Sequence, residues 1–294
     1  MRVAINTPGG NIGRHLSEFL LDAGREITII SRNPGKVADL VDRGARLVRG
    51  PFDDRRVLDQ AFEDAECVFW LTPPAYRPNF HEWVRATART AGDAAACRGV
   101  KRAIVLSSVG AHNGAGAGPV SPLLDAEEAF RSSIANVLAL RAGFFMENFL
   151  HSIDTMAVHG TIVEPVPADK RVPMVATRDI ARVAADSILG GFSGHRILGV
   201  HGPADLSNRE ASQIISEALG RPMRYVAVPV ERARSLFIEH GRPDFVADLL
   251  AEMYQALSDG RMDPAEPRTP ETTTNTTLAE FACTVLAPAL ERAA

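Results

Sequence analysis

The run Arg2-Val3-Ala4-Ile5-Asn6-Thr7-Pro8-Gly9-Gly10-Asn11-Ile12-Gly13 decides the fold. Residues 2–6 read as a strand. The stripe Ile12, Leu16, Phe19, Leu20 and Ala23 reads as a helix that Gly24 stops. Between the two lie glycines, which let backbone approach a pyrophosphate without Cβ clashes. A helix N-terminus adds free N–H groups and a partial positive charge. Gly13 allows helix and strand to pack closely. Ordinary strand–helix turns also use glycine, but the position after a first strand in a βαβ series favours nucleotide binding. Thr7, Gly9, Gly10, Asn11, Ile12 and Gly13 are therefore the candidate pyrophosphate cradle, with Thr7 where the G-x-x-G-x-x-G spacing has its first glycine.

Outward from this run, strands are expected at residues 26–31, 46–49, 67–71, 102–107 and 137–141. Helices are expected from Pro34 and at 55–62, 80–97 and 122–131. The alternation predicts an α/β fold of the Rossmann type, a doubly wound parallel sheet with helices on both faces. The strands are apolar at consecutive positions, as sheet centres covered on both sides require.

The second half changes character. Residues 160–172 read as loops around a short strand, followed by a helix at 177–189 and a strand at 196–200. Further on come helices at 208–219 (cap Ser207, stop Gly220), 231–241, 243–260 and 278–287, with a strand at 224–229. We expect a nucleotide-binding domain over 1–155 and a smaller α+β domain over 156–294, of which about 172–200 packs back on the first.

Composition sets the frame for function. The chain has 294 residues, 46% of them hydrophobic and 23% charged, which is globular usage. A formal charge of −4 argues against a generic electrostatic grip on nucleic acid. Cys67, Cys97 and Cys283 are scattered, without disulfide or zinc spacing, and no metal site is expected. No leader and no membrane span is read, so a cytoplasmic location is expected.

Cofactor choice is read at the end of the second strand. An NAD-preferring fold usually carries an acid there for the ribose 2′-hydroxyl. Here the stretch is Ser31-Arg32-Asn33-Pro34-Gly35-Lys36. Arg32 and Lys36 are cations within reach of a 2′-phosphate, so NADP(H) is expected over NAD(H). A solvated surface pair is the alternative.

At this point the chain resembles the NmrA-like family of atypical short-chain dehydrogenases. The likeness is carried by residues 7–13, Ile30-Ser31-Arg32-Asn33-Pro34, Trp70-Leu71-Thr72-Pro73-Pro74 and Leu106-Ser107-Ser108-Val109-Gly110-Ala111. It continues in Leu140-Arg141-Ala142-Gly143-Phe144-Phe145-Met146-Glu147-Asn148 and Arg178-Asp179-Ile180-Ala181. The resemblance implies a Rossmann domain, a smaller C-terminal domain and a cleft between them. It implies Arg32 at the 2′-phosphate and Asp53 near the adenine. Leu71, Thr72 and Pro73 would line the ribose and nicotinamide side, with Ser107, Gly143 and Phe144 near the nicotinamide. The family includes reductases of quinones and dyes, and regulators that bind NADP without catalysing anything.

The Tyr-x-x-x-Lys pair of ordinary short-chain dehydrogenases is missing. Tyr76, Tyr225 and Tyr254 have no lysine four positions later. Catalytic candidates are Ser107, Tyr76 and His112, set against backbone capping, packing and plain exposure respectively. Tyr76, Ser108, Phe144, Phe145 and Met146 are candidates for the pocket of an aromatic acceptor, with core packing as the alternative. Glu147 and Asn148 are read as ties between domains. The expected function is NADPH-dependent hydride transfer to a small planar acceptor. The alternatives are a non-catalytic NADP(H)-sensing regulator with a protein partner, and a tailoring enzyme that reduces an imine or enone. The oligomeric state stays open.

Overall fold

The computed structural model describes residues 1–73 and 77–293. The first half runs β1 (Arg2–Ile5), α1 (Asn11–Asp22), β2 (Glu26–Ser31), α2 (Ala38–Asp42), β3 (Arg46–Arg49) and α3 (Arg55–Ala61). It continues with β4 (Cys67–Leu71), α4 (Phe80–Cys97), β5 (Arg102–Ser108), α5 (Leu123–Ser133) and β6 (Asn136–Ala142). The helix expected from Pro34 starts as a 3-10 turn, because Asn33 Oδ1 accepts from the Gly35 N–H and tightens the entry.

The remaining elements are β7 (Phe144–Phe145), α6 (Ile153–His159), β8 (Thr161–Glu164), β9 (Arg171–Val175), α7 (Thr177–Gly190), β10 (His195–Val200) and β11 (Asp205–Ser207). They close with α8 (Asn208–Leu219), β12 (Arg224–Ala227), α9 (Val230–Glu239), α10 (Asp244–Ser258), α11 (Leu278–Phe281) and α12 (Ala287–Ala293).

The main sheet has seven parallel strands in the order β10-β6-β5-β4-β1-β2-β3. Alternate residues of each strand feed two apolar layers. Val3, Ile5, Ile29, Phe69, Ile104 and Leu138 join the layer under α1 and α7. Ala4, Val68, Trp70, Val105 and Val137 join the layer under α4 and α5. Burial on both faces is why these strands are apolar at consecutive positions. Helix α7 lies against α1, and Arg182 stacks 3.5 Å from the Phe19 ring centroid.

A third apolar cluster gathers Met146, Phe149, Ile162, Met174, Ile215 and Phe281 beside the sheets β11-β9-β7 and β12-β8. Two local expectations change here. Residues 171–175 form a full strand despite Pro173, since β7 and β11 pair with it on either side and tertiary pairing outweighs local propensity. The last helix extends beyond 287 and is interrupted by a π turn at Ala282–Leu286. Pro288 has no N–H for a bond to residue 284, and the wider turn absorbs the defect. Helix α8 is bounded as read, by a Ser207–Glu210 capping box and by left-handed Gly220. Among the described residues, no helix is long and apolar enough to cross a membrane.

Candidate dinucleotide-binding site

Strand order reverses between β1 and β4, and ligands of such sheets lie at the carboxyl ends of the strands beside that point. Asn6 locks the two ends together. Its Nδ2 donates to the Leu71 carbonyl at 2.8 Å, and the Leu71 N–H donates to its Oδ1 at 3.0 Å. The loop that follows is tight. The Gly10 N–H donates to the Thr7 carbonyl at 3.2 Å, and a Cβ on Gly13 would stand 2.0 Å from that same oxygen. Among the described residues no side chain caps α1, and its first turn holds no acid. Thr7 Oγ1 is buried without a hydrogen-bond partner among the described residues. A pyrophosphate fits this cradle, because its oxygens would satisfy the open N–H groups and the hydroxyl together.

The neighbouring loop is pinned from two sides. Ser31 Oγ donates to the Asn33 carbonyl at 3.0 Å. Arg14 pairs with Asp39 at 2.6 Å and also donates to the Lys36 carbonyl. The Arg14 guanidinium holds the exposed Asp39 carboxyl below its ordinary value. A Cβ on Gly9 would stand 3.9 Å from Lys36 Cβ, so the Lys36 stem runs beside the glycine loop. Arg32 and Lys36 are exposed, and among the described residues no carboxylate pairs with either.

Asp53 is exposed and accepts from Trp83 Nε1 of α4 at 2.9 Å. Leu71, Thr72 and Pro73 are half-buried at the end of β4, and Thr72 Oγ1 accepts from Trp70 Nε1 at 3.2 Å. Tyr76 lies outside the described residues. Ser108 is half-buried at the end of β5, and His112 is exposed on the 3-10 turn Ala111–Asn113.

Ser107 is only 3% exposed, and its hydroxyl donates to Glu127 Oε1 at 2.6 Å. Glu127, on α5, is fully buried. It takes two bonds from Arg141, at 3.0 and 2.9 Å, and an ion pair with Arg131 at 3.4 Å. Arg141 Nη1 continues to Glu266 at 2.8 Å. Sequence reasoning passed over Glu127, Arg141 and Glu266. A signal existed: Glu127 sits on the buried stripe of its helix with Ala126 and Phe130, and Arg141 interrupts an apolar strand.

Beyond β6 the chain peels away from the main sheet. The Gly143 N–H donates to the Val200 carbonyl at 3.0 Å, and a Cβ on Gly143 would stand 2.3 Å from the Pro173 carbonyl oxygen. Phe144 and Phe145 pair with Met174 and Val175, and both rings are half-buried. Phe144 meets Phe149 edge-on at 5.9 Å. Met146 is 1% exposed in the third cluster, so Phe144 and Phe145 are the members of that trio with open surface. Glu147 accepts from the N–H and hydroxyl of Thr177 and so caps α7. Burial pushes its carboxyl above the ordinary value.

Strand β8 ends on a second perturbed acid. Glu164, 4% exposed, accepts a hydrogen bond from the Tyr254 side chain, and burial pushes its carboxyl up to about 7. The folded protein therefore holds this proton more tightly than the unfolded chain, whose glutamate titrates near 4.5. Stability is fully present below about 4.5 and falls as pH rises towards 7, by about 3 kcal/mol from this group. Urea denaturation of wild type and Glu164→Gln across this range should show that loss in wild type only. Parallel curves would refute the assignment.

Against known proteins, the family model described as the NmrA-like family matches residues 1–282. The chain is 29% identical over 251 residues to the NAD(P)H azoreductase of Xenophilus azovorans, covering 83% of each chain. The fold is shared with the NADP(H) complex of Citrobacter sp. triphenylmethane reductase, with TM-score 0.79, 21% identity and coverage of 99% and 100%. It is shared equally with NmrA, a negative transcriptional regulator solved with NADP, with TM-score 0.80, 17% identity and coverage of 99% and 97%.

Proposed function

We propose, from the premise that this chain belongs to the NmrA-like family, that it is an NADPH-dependent reductase of a small planar acceptor such as a quinone or dye. One observation carries the cofactor half of this reading. Two exposed cations, Arg32 and Lys36, follow β2 with no carboxylate partner among the described residues, and the Lys36 stem runs beside a glycine loop whose helix end carries no side-chain cap among those residues. The names of the azoreductase and of the triphenylmethane reductase support the acceptor class.

The dinucleotide, when bound, supplies the hydride. The chain's own groups bind and orient. Residues 7–13 hold the pyrophosphate, and Arg32 with Lys36 holds the 2′-phosphate. Asp53, steadied by Trp83, borders the adenine. Leu71, Thr72 and Pro73 form one wall of the ribose and nicotinamide side, and Ser107, Gly143 and Phe144 the other. Phe144 and Phe145 present apolar rings to an aromatic acceptor, Met146 backs them, and Ser108 completes the described part of the pocket. Electron-poor quinones and dyes need no Tyr–Lys pair. Water or the exposed His112 can deliver the proton.

A sensing role is the second reading. It is favoured by the commitment of the Ser107 hydroxyl to Glu127, which removes one proton donor from the site. NADPH consumption with a panel of quinones, azo dyes and triphenylmethane dyes, with NADH in parallel, separates the two readings. Turnover favouring NADPH is expected. A protein that binds NADPH and turns over no acceptor would be a sensor.

Arg32→Ala tests the cofactor assignment directly. Loss of a charge-assisted contact to the 2′-phosphate should weaken NADPH binding roughly 10- to 100-fold and leave NADH nearly unchanged. Equal losses for both cofactors would sink the assignment.

A further inference from the structure

Ser107 is the penultimate residue of β5, at the carboxyl edge of the sheet. Its cross-strand partner on β6 is Arg141, whose own partner on β10 is Gly199. Ser107 and Arg141 both reach the face that carries α5, where they meet Glu127. A carboxylate braced by two guanidinium groups accepts hydrogen bonds and has none to give. The 2.6 Å contact therefore runs from the Ser107 hydroxyl to Glu127. That uses the only proton of the serine. Its oxygen keeps free acceptor capacity, and among the described residues no group donates to it.

A dinucleotide bound across the switch point has its adenosine half on the β2 side, where Arg32 stands. Its other half lies over β4 and β5. We propose that Glu127 is a positioning residue: by taking the Ser107 proton it makes Ser107 Oγ a hydrogen-bond acceptor for the amide N–H of the nicotinamide carboxamide. The inference rests on the dinucleotide reading above and deepens it. Arg141 fixes the carboxylate bidentately, and Arg131 approaches it from one turn along α5. A fixed carboxylate fixes the serine rotor, and a fixed rotor selects one rotation of the carboxamide and its ring. Ser107 then aligns the nicotinamide and gives no proton to the product.

The test is equilibrium binding, free of any acceptor. Dissociation constants of NADP⁺ and of its 3-acetylpyridine analogue are measured by calorimetry. The analogue keeps the carbonyl and replaces the amide N–H₂ with a methyl group. Wild type should prefer NADP⁺ by roughly 3- to 10-fold, the range of one net hydrogen bond. Ser107→Ala should erase the preference by weakening NADP⁺ and leaving the analogue within about twofold. Glu127→Gln, whose amide can turn an N–H toward the serine, should erase it too. Melting curves establish that this variant is folded. Should it not fold, Ser107→Ala carries the test alone. A preference that survives Ser107→Ala overturns the proposal, including the case in which the serine binds a ribose hydroxyl. Failure of wild type to bind either dinucleotide would overturn the cofactor reading and this proposal with it, so the two failures are told apart.

Discussion

Arg141→Ala is expected to cost about 3–5 kcal/mol of folding stability, a large share of the roughly 5–15 kcal/mol that holds a domain together. The guanidinium is buried on the α5 side of the main sheet, between Glu127 and Glu266. Truncation leaves the fully buried Glu127 with Ser107 and a single longer contact from Arg131 at 3.4 Å. Glu266 loses its Arg141 partner as well, and its Oε2 already has none among the described residues. The cost is that of stranded charge, which greatly exceeds the net worth of an ion pair. Removing the acid together with the base should therefore recover much of the loss: Arg141→Met with Glu127→Leu should be more stable than Arg141→Ala alone. Urea titrations of the three proteins decide it. A loss under about 1 kcal/mol for Arg141→Ala would show that water reaches the network and that the charges are solvated.

Gly13→Ala is expected to weaken NADP⁺ binding by at least about 30-fold and to lower stability by about 1–3 kcal/mol. The added Cβ would lie 2.0 Å from the Thr7 carbonyl oxygen, 2.7 Å from its carbon and 3.2 Å from Pro8 Cα. All three are backbone atoms and cannot swing aside as a side chain would. Relief requires moving the loop or the start of α1. Either shift breaks the Gly10-to-Thr7 hydrogen bond and misaligns the open N–H groups. Gly10→Ala is the control for stability. Among the described residues its Cβ would meet the Thr7 carbonyl oxygen at an ordinary 3.7 Å, and its φ of −91° suits any residue. Melting curves should show a loss at position 13 and little change at position 10, and calorimetry the loss of affinity at position 13. Unchanged affinity in Gly13→Ala would mean that the loop does not hold the pyrophosphate.

Gly13 and Arg141 differ in how far along the chain their reasons reach. Gly13 was legible because its reason is local: a strand, a short turn and a helix within one dozen residues, where only a missing Cβ permits the contact. The apolar strands were legible for a similar reason, since burial on both faces forces consecutive apolar residues. Ser207 and Gly220 bounded α8 by short-range hydrogen bonding and left-handed backbone. Arg141, by contrast, looked like one polar residue in an apolar strand. Its meaning came from Glu127, fourteen positions away, and from Glu266, one hundred and twenty-five positions away.

The candidate site divides along the same line. The glycine loop and Arg32 are neighbours through two short βα turns, so their chemistry could be read from order alone. Ser107 could be read as a hydroxyl at a strand end, but not as a hydroxyl whose proton is already committed. The direction of that hydrogen bond depends on which side chain α5 presents to β5, and so on how the helix packs. Phe144 and Phe145 likewise became a half-exposed pair, and Met146 a core residue, only once β7 joined β9.

By itself the sequence determined the parallel α/β architecture, the position of the glycine loop and the sign of the charge at the end of β2. Each follows from residue periodicity or from conformational demands that span a few positions. The tertiary structure alone decided that β10 borders β6, that Glu127 and Arg141 brace Ser107, and that Glu164 is buried beside Tyr254. Those features set polarity and proton affinity through low-dielectric surroundings, and such surroundings are assembled from segments far apart in the chain.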